Sequence, residues 1–468
     1  MTLDFADVQG TILRGYRVDH ARHFVLRIDD GAGARAFLGS LVESSSGMPQ
    51  ITTAERWEVK PTSFLNAGIT AAGLEALGQP VGGFPEAFVR GATADKTAKL
   101  VGDIDDSAPT QWDDAFRNGH DVHLILSLWV QRDEDVLARV SEQLRAAFGG
   151  ALHELGTAEA TALPANKVHF GYTDNISQPT VAGAPPPKRP RPDHQDVAPT
   201  GSFLMGYPNE NPGGMYKVTP EQLSTNSSFA AFRLLQQDVA GFERWLERAA
   251  AEARIDPELL AAKVCGRWRN GIPLVLSPDT SEPDPPLAPE RINDYLYVAN
   301  DDTFGYRCPV GSHMRRTNPR DEAVLAGGSM HRITRRAMPY GPPYDHDNPD
   351  DTPRGLVGWF INASLDNTFE LVMSQWVNGS DFVMPAASPP PPPANGASPV
   401  FNITGQDVIL GVNDPPSASS FTLSYPPPEP DAEPINRELT GFGPFVTTRG
   451  GAYCYLPSIT ALRFIAKG

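Results

Sequence analysis

The sequence predicts an α+β fold made of two ferredoxin-like units, each an antiparallel sheet packed with helices. Short segments of alternating or continuous apolar residues favour strands, as at residues 121–130. An amphipathic segment closed by two glycines favours a helix, as at residues 133–150. Strand followed by helix occurs in the first half of the chain and again in the second, which is typical of duplicated β-α-β units.

The first half contains three predicted strands and three predicted helices. The strands are placed at residues 23–28, 63–70 and 121–130, and the helices at residues 32–41, 71–77 and 133–148. Residues 184–199 are rich in proline and charge and are expected to form an extended surface connection. We place the domain boundary there, giving an N-terminal domain of residues 1–195 and a C-terminal domain of residues 196–468.

The second half repeats this order. Strands are predicted at residues 228–235, 355–363 and 450–458, and helices at residues 239–253, 256–264 and 367–378. A Pro/Asp-rich loop at residues 277–289 and a proline run at residues 389–393 interrupt the pattern. The two halves share little residue identity, so it is the order of elements that indicates duplication.

Composition excludes several classes of protein. The 468 residues are 40% hydrophobic, enough to bury a sizeable core, and the net charge of −17 argues against nucleic acid or an anionic membrane as partner. The three cysteines have no metal-like spacing, and their odd number suits a reducing compartment. We find no signal peptide, twin-arginine motif or membrane-spanning segment in the sequence, which predicts a cytoplasmic protein. The oligomeric state is left open.

One segment carries the strongest chemical signal. His313 precedes a basic run of Arg315, Arg316 and Arg320, and a second basic cluster follows at residues 332–336. A histidine and arginines together suit a large dianionic ligand such as haem, which offers a metal to the imidazole and carboxylates to the guanidinium groups. The plain alternative is a solvated helix start, and residue spacing alone does not exclude it.

Two long motifs resemble those of the dye-decolourising peroxidases, a family of haem enzymes. The family pattern Gly-x-His-x-Arg-Arg-x-Asn-Pro-Arg appears at residues 311–320 as GSHMRRTNPR. The pattern Phe-Gly-x-x-Asp-Gly-x-Ser-Gln-Pro appears at residues 170–179 as FGYTDNISQP. The resemblance extends from about Phe5 to about Pro457, over most of the chain.

The resemblance implies a haem b (iron protoporphyrin IX) site, held mainly by the C-terminal unit. His313 would be the metal ligand, and Asp407 would orient its ring, with Asp381 as second choice. Asp174 would be the distal acid and Arg335 the distal guanidinium, while Arg336 would face elsewhere. The other predicted cofactor contacts are Arg316, Asn175, Ile176, Ser177, Leu356, Phe360 and Phe369.

The sequence departs from the family pattern at two positions. Asn175 stands where the family has glycine after the acid, and asparagine tolerates the left-handed backbone region better than most residues. Ala337 replaces a residue that is Gly or Asn in the family. These departures bear on the rate and pH optimum more than on cofactor binding.

The implied function is a peroxidase. It would reduce hydrogen peroxide through a ferryl intermediate and oxidise organic reductants such as dyes and phenolics by one-electron steps. Two alternatives remain at this point: a haem-dependent oxygenase or biosynthetic oxidase on the same fold, and a haem carrier or sensor without catalysis. A carrier needs no distal acid, so Asp174 and Arg335 argue against the last of these.

Overall fold

The computed structural model describes residues 3–185, 197–322, 331–380, 404–416, 419–429 and 434–468. Its strands are β1 His20–Ile28, β2 Ser63–Ile69, β3 Leu124–Val130, β4 Leu152–Thr161, β5 Ser228–Gln237, β6 Thr334–Tyr340, β7 Gly355–Asn362, β8 Ser420–Tyr425, β9 Ile435–Thr440 and β10 Val446–Leu456. Its helices are α1 Gly10–Leu13, α2 Gly31–Ser40, α3 Ala71–Ala76, α4 Glu86–Arg90, α5 Asp95–Val101, α6 Asp114–Arg117, α7 Glu134–Phe148, α8 Val239–Ala253, α9 Pro257–Cys265, α10 His313–Thr317 and α11 Ile459–Lys467.

Strand order confirms the predicted duplication. The strands of the first half are antiparallel neighbours in the order β4-β1-β3-β2, and those of the second half in the order β10-β5-β7-β6. When the four strands that each half gives to this sheet are numbered along the chain, both orders read fourth, first, third, second. With α2 and α7 in the first half and α8 in the second, this is the ferredoxin-like arrangement.

The two halves form one eight-stranded sheet in the described part of the chain. They join where Tyr455 of β10 pairs with Ile69 of β2, and the outer strands β4 and β6 lie against each other, so the sheet curls into a barrel. Inside the barrel, the Trp359 Nε1 of β7 donates to the Ser127 Oγ of β3 at 2.9 Å. Strands β8 and β9 form a separate hairpin.

Helix starts follow local chemistry. The Asp133 carboxylate accepts hydrogen bonds from the backbone N–H groups of Asp135 and Val136, and that of Asp256 accepts from Glu258 and Leu259. Such caps satisfy N–H groups that lack a partner within the helix. This is why α7 and α9 begin one residue after an aspartate.

The structure adds elements that the sequence did not predict. Strands β4 and β6 were missed, and the predicted helix at residues 367–378 is instead two π-helical segments, Leu365–Glu370 and Val372–Val377. π-Helical turns are rare and often occur at functional sites. The proposed boundary between residues 195 and 196 lies outside the described residues and stays a prediction.

No helix among the described residues is long and apolar enough to cross a membrane.

Candidate active site

A cavity of about 530 Å³ lies against the second half of the sheet. Because successive side chains of a strand point to opposite faces, Val357, Trp359 and Ile361 of β7 are buried in the core while Leu356 and Phe360 line the cavity. The same alternation brings other strand residues to this face: Arg233 and Leu235 from β5, Arg335 and Ala337 from β6, and Val446 and Thr448 from β10. The remaining walls include α10 and the π-helical segments.

His313 is the first residue of α10 and lines this cavity. Its Nδ1 lies 2.9 Å from the Oδ2 of Asp407, a residue with no exposed surface. The other carboxylate oxygen of Asp407 accepts from the backbone N–H groups of Ile409 and Leu410, each at 2.8 Å. Since Nδ1 is engaged, Nε2 is the nitrogen left to bind a metal, and such a carboxylate partner is typical of metal-bound histidines.

The surroundings of Asp407 favour its carboxylate form. Burial acts to raise this pKa, but the charges of His313 and Arg316 and the hydrogen bonds outweigh it and hold the pKa below its usual value. Burial lowers the pKa of Arg316 to about 10, with Asp407 acting against the shift. Asp407 therefore orients His313 as an anion.

The first arginine cluster has a different role from the one that the sequence suggested. Arg315 is fully buried and pairs with Asp302 and Glu322, and Arg320 donates to Asn293 and lies over the Tyr295 ring. Arg315, Arg316 and Arg320 are absent from the lining of the cavity. A ligand carboxylate in this cavity would therefore meet other cations.

Arg316, predicted to contact the cofactor, points instead to the loop that carries Asp407. Its guanidinium donates to Thr404 Oγ1 at 2.7 Å and to the carbonyl of Gly405 at 2.8 Å. These bonds hold the turn that leads to Asp407. The structure thus places Arg316 behind His313, as a support for its carboxylate partner.

Asp174 lies in the loop between β4 and β5 and lines the cavity together with Ile176 and Ser177. Its backbone N–H donates to the carbonyl of Asn166 at 2.8 Å. Asn175 has φ +61°, the left-handed conformation that glycine would adopt there, so the loop closes despite the departure from the family pattern. Asn175 itself faces a second, smaller cavity of about 240 Å³ that Asp174 and Ile176 also line.

Arg335 of β6 fixes the other end of this loop. Its guanidinium donates to the carbonyl of Ser177 and, at 2.8 Å, to that of Ile333. Its backbone N–H and carbonyl both bond the side-chain amide of Gln178, at 3.1 and 3.2 Å. Desolvation of its guanidinium lowers the pKa of Arg335, and the charge of Asp174 acts against that shift.

Arg336 faces the barrel side of β6, where its Nε donates to the carbonyl of Thr11 at 2.8 Å.

The structure brings most of the predicted site residues to one cavity. His313, Asp174, Arg335, Ile176, Ser177, Leu356, Phe360 and Phe369 line it, whereas Asn175, Arg316 and Asp407 do not. Asp381 lies outside the described residues. Arg332 and His331 also line the cavity and were not predicted as contacts, although the basic cluster at residues 332–336 was the available signal.

The residues present fit a haem group. The cavity volume is in the range of small-molecule and cofactor sites, and its lining is mostly apolar, with a few polar groups. A histidine nitrogen is available to the iron on one wall, and Arg332 is a buried cation suited to a carboxylate. The fold and cavity together define an α+β barrel protein with a large, mostly apolar cavity that a histidine and several arginines line.

Comparison with known proteins gives the family. A family model described as the DyP dimeric alpha+beta barrel domain matches residues 7–164. Peroxidase 2 of Mycetinis scorodonius is 28% identical over 98% of this chain and 87% of its own length. Multifunctional dye peroxidase DyP2 of an Amycolatopsis species is 27% identical over 98% of this chain and 95% of its own length.

Solved structures agree. An ancestral D-type dye-decolorizing peroxidase superposes with a TM-score of 0.78 at 28% identity, covering 99% of both chains. A dye-decolorizing peroxidase in complex with 2,6-dimethoxyphenol gives a TM-score of 0.77 at 27% identity, covering 99% of this chain and 100% of that one. The chain belongs to the dye-decolorizing peroxidase family, and membership implies a haem cofactor.

Proposed function

We propose that this protein is a haem peroxidase that reduces hydrogen peroxide and oxidises organic substrates, such as dyes and phenolics, in one-electron steps. The observation that carries the proposal is that Asp174, Arg335 and His313 all line one cavity. Peroxide chemistry at a haem requires that the protein provide a ligand to the iron, an acid and a fixed cation. The names of the similar proteins, including the 2,6-dimethoxyphenol complex, support the substrate class.

The proposed cofactor is haem b. His313 would bind the iron through Nε2 because Asp407 engages its Nδ1, and Arg332 is the proposed partner of a propionate. When bound, the haem would supply an iron that can be oxidised by two electrons by peroxide and reduced again by organic substrates, one electron at a time. The apolar side chains of Leu356, Phe360 and Phe369 would exclude water around it.

Asp174 and Arg335 would have different roles in the reduction of peroxide. Reduction of peroxide requires that a proton leave one oxygen and reach the other, and the Asp174 carboxylate can accept and return that proton directly or through water. The Arg335 guanidinium can stabilise the negative charge that develops as the O–O bond lengthens. Because the Arg335 guanidinium donates to the carbonyls of Ser177 and Ile333, this cation is already oriented before peroxide arrives.

Rapid mixing with hydrogen peroxide tests the proposal. The haem-loaded protein should show a fast shift of the Soret band, and Asp174→Asn should slow it by about 10²- to 10⁴-fold, the usual contribution of a general acid–base residue. Asp351→Asn, which makes the same charge change at an exposed loop position, should react like the wild type. A Soret band that never moves would mean that the protein is a haem carrier or sensor. A wild-type rate in Asp174→Asn would mean that Arg335 or water transfers the proton.

The absence of nucleic-acid and membrane partners and a cytoplasmic location stay predictions, and whether the protein forms a homo-oligomer stays open.

A further inference from the structure

The loop that carries Asp174 is held by a contact outside the catalytic cavity. Residues 166–174 form a small hairpin in which Lys167 and Thr173 face each other as an antiparallel bridge. The backbone N–H of Asp174 closes this hairpin on the carbonyl of Asn166 at 2.8 Å. The position of Asp174 therefore depends on how the hairpin is anchored.

His169 and Tyr172 bond the carbonyls of Tyr340 and Ala261, and the anchor next to Asp174 is a single further backbone carbonyl. The carbonyl oxygen of Arg269 accepts from the Thr173 N–H at 3.0 Å, from the Thr173 Oγ1 at 3.0 Å and from the Lys167 Nζ at 2.6 Å. Such an oxygen has two lone pairs, so three donors saturate it. The ammonium of Lys167 makes the shortest of the three bonds, and bonds from a charged donor are about twice as strong as neutral ones.

The anchor itself belongs to the second half of the chain. Arg269 lies at the tip of a hairpin bridged by Arg267 and Pro273. Its guanidinium pairs with Glu243 of α8 at 2.7 Å and Glu258 of α9 at 3.0 Å. The carbonyl is therefore fixed to the helices of the second half, which also carries His313 and Arg335.

The geometry points to Lys167 as a positioning residue for Asp174, acting through the main-chain carbonyl of Arg269. This inference rests on the proposed role of Asp174 as the distal acid. Arg335 holds the loop at Ser177 and Gln178, and Lys167 with Arg269 holds it before Asp174, so the acid is clamped on both sides. Lys167 does not line the cavity and is not a catalytic residue.

Three lysine variants test this role. Lys167→Met keeps the length of the side chain and removes the donor, Lys167→Arg keeps a charged donor, and Lys217→Met removes an exposed lysine as a matched control. Hydrogen exchange of the Thr173 and Asp174 amides, followed in the haem-loaded protein, measures the clamp without turnover. The rate of the Soret shift after mixing with hydrogen peroxide measures the consequence.

We expect Lys167→Met to speed exchange of both amides about tenfold and to slow the peroxide reaction about tenfold, less than the roughly 10²-fold that a 1 Å misplacement can cost. Lys167→Arg should restore both to within about threefold, and Lys217→Met should change neither. Unchanged exchange in Lys167→Met, or a Lys167→Arg variant as defective as Lys167→Met, would overturn the inference. If the wild type does not react with peroxide, the proposed function fails while exchange still decides whether Lys167 holds the loop.

Discussion

Replacing Asp407 with asparagine should weaken haem binding although Asp407 never touches the cavity. Asp407 accepts three N–H groups, from His313 Nδ1 at 2.9 Å and from Ile409 and Leu410 at 2.8 Å each. Asparagine has the same shape but only one accepting oxygen. If that oxygen keeps the backbone bonds, the new NH₂ group faces His313 Nδ1.

That reversal changes the tautomer of the histidine. A neutral imidazole has one protonated nitrogen and one accepting nitrogen. When Nδ1 must accept from the asparagine, the proton moves to Nε2, the nitrogen that would bind the iron. Loss of a carboxylate behind a metal-bound histidine typically costs 10- to 100-fold in metal affinity, which is about 1.4 to 2.7 kcal/mol.

Arg316 adds a second cost. It is fully buried, and the charge of Asp407 counteracts the lowering of its pKa by burial. Removing that carboxylate leaves a buried guanidinium without the nearby negative charge that attracts it, and a buried charge that loses its compensation destabilises the fold. The free energy of unfolding of the apoprotein should therefore fall as well.

Titration of the apoprotein with haem, followed by the Soret absorbance, measures the affinity, and urea unfolding measures the stability. Asp351→Asn, at an exposed position, serves as the control for the charge change. We expect weaker haem binding and lower stability only in Asp407→Asn. If Asp407→Asn bound haem as tightly as the wild type, the proposed orientation of His313 by this carboxylate would be wrong.

Three further outcomes follow from the structure. Arg335→Leu should slow the Soret shift with peroxide by about 10²- to 10³-fold, as loss of a donor to developing charge does, and a fall under threefold would contradict its role. Arg315→Met leaves two buried carboxylates unpaired and should cost about 3 to 5 kcal/mol of unfolding free energy in urea. The pKa of Asp407 is lowered in the fold. Its contribution to haem retention should therefore be complete above about pH 4 and should be lost at lower pH, where the pKa of the folded protein is passed. A plot of Soret absorbance against pH should show this loss at acid pH, and Asp407→Asn should lack it.

The sequence predicted the fold best where local chemistry and burial agree. Strand β3 is buried along its whole length, so its continuous apolar run was sufficient. Helices α7 and α9 follow aspartates that cap them. In these elements the residues that favour the local conformation are also the ones that the tertiary structure buries.

Strand β6 shows why the rest could not be predicted. Its sequence TRRAMPY contains an alanine and a proline, which are depleted in strands. It forms because β7 supplies a full set of partners, with Arg335 opposite Phe360 and Ala337 opposite Gly358, and because proline is tolerated in an edge strand. Pairing with a distant strand decided the structure, and no window of the sequence contains that information.

Prediction of the candidate site from the sequence was limited in the same way. Motif resemblance selected His313, Asp174 and Arg335, which share the cavity, but it could not separate arginines that face a ligand from arginines that face protein. Arg315 and Arg316 are fully buried among protein partners, whereas Arg332, in the second basic cluster, lines the cavity. Side-chain direction in an irregular segment depends on tertiary partners, which spacing does not reveal.

The position of β10 has a consequence for how the protein is made. This strand, Val446–Leu456, lies between β2 and β5 and is the last of the eight sheet strands along the chain. A ribosome must therefore synthesise the other seven strands of the sheet before the two halves can pair. Until then the nascent chain carries two open strand edges, which are prone to wrong pairing, and Val446 and Thr448 are missing from the cavity wall. Cofactor loading should consequently follow the synthesis of β10.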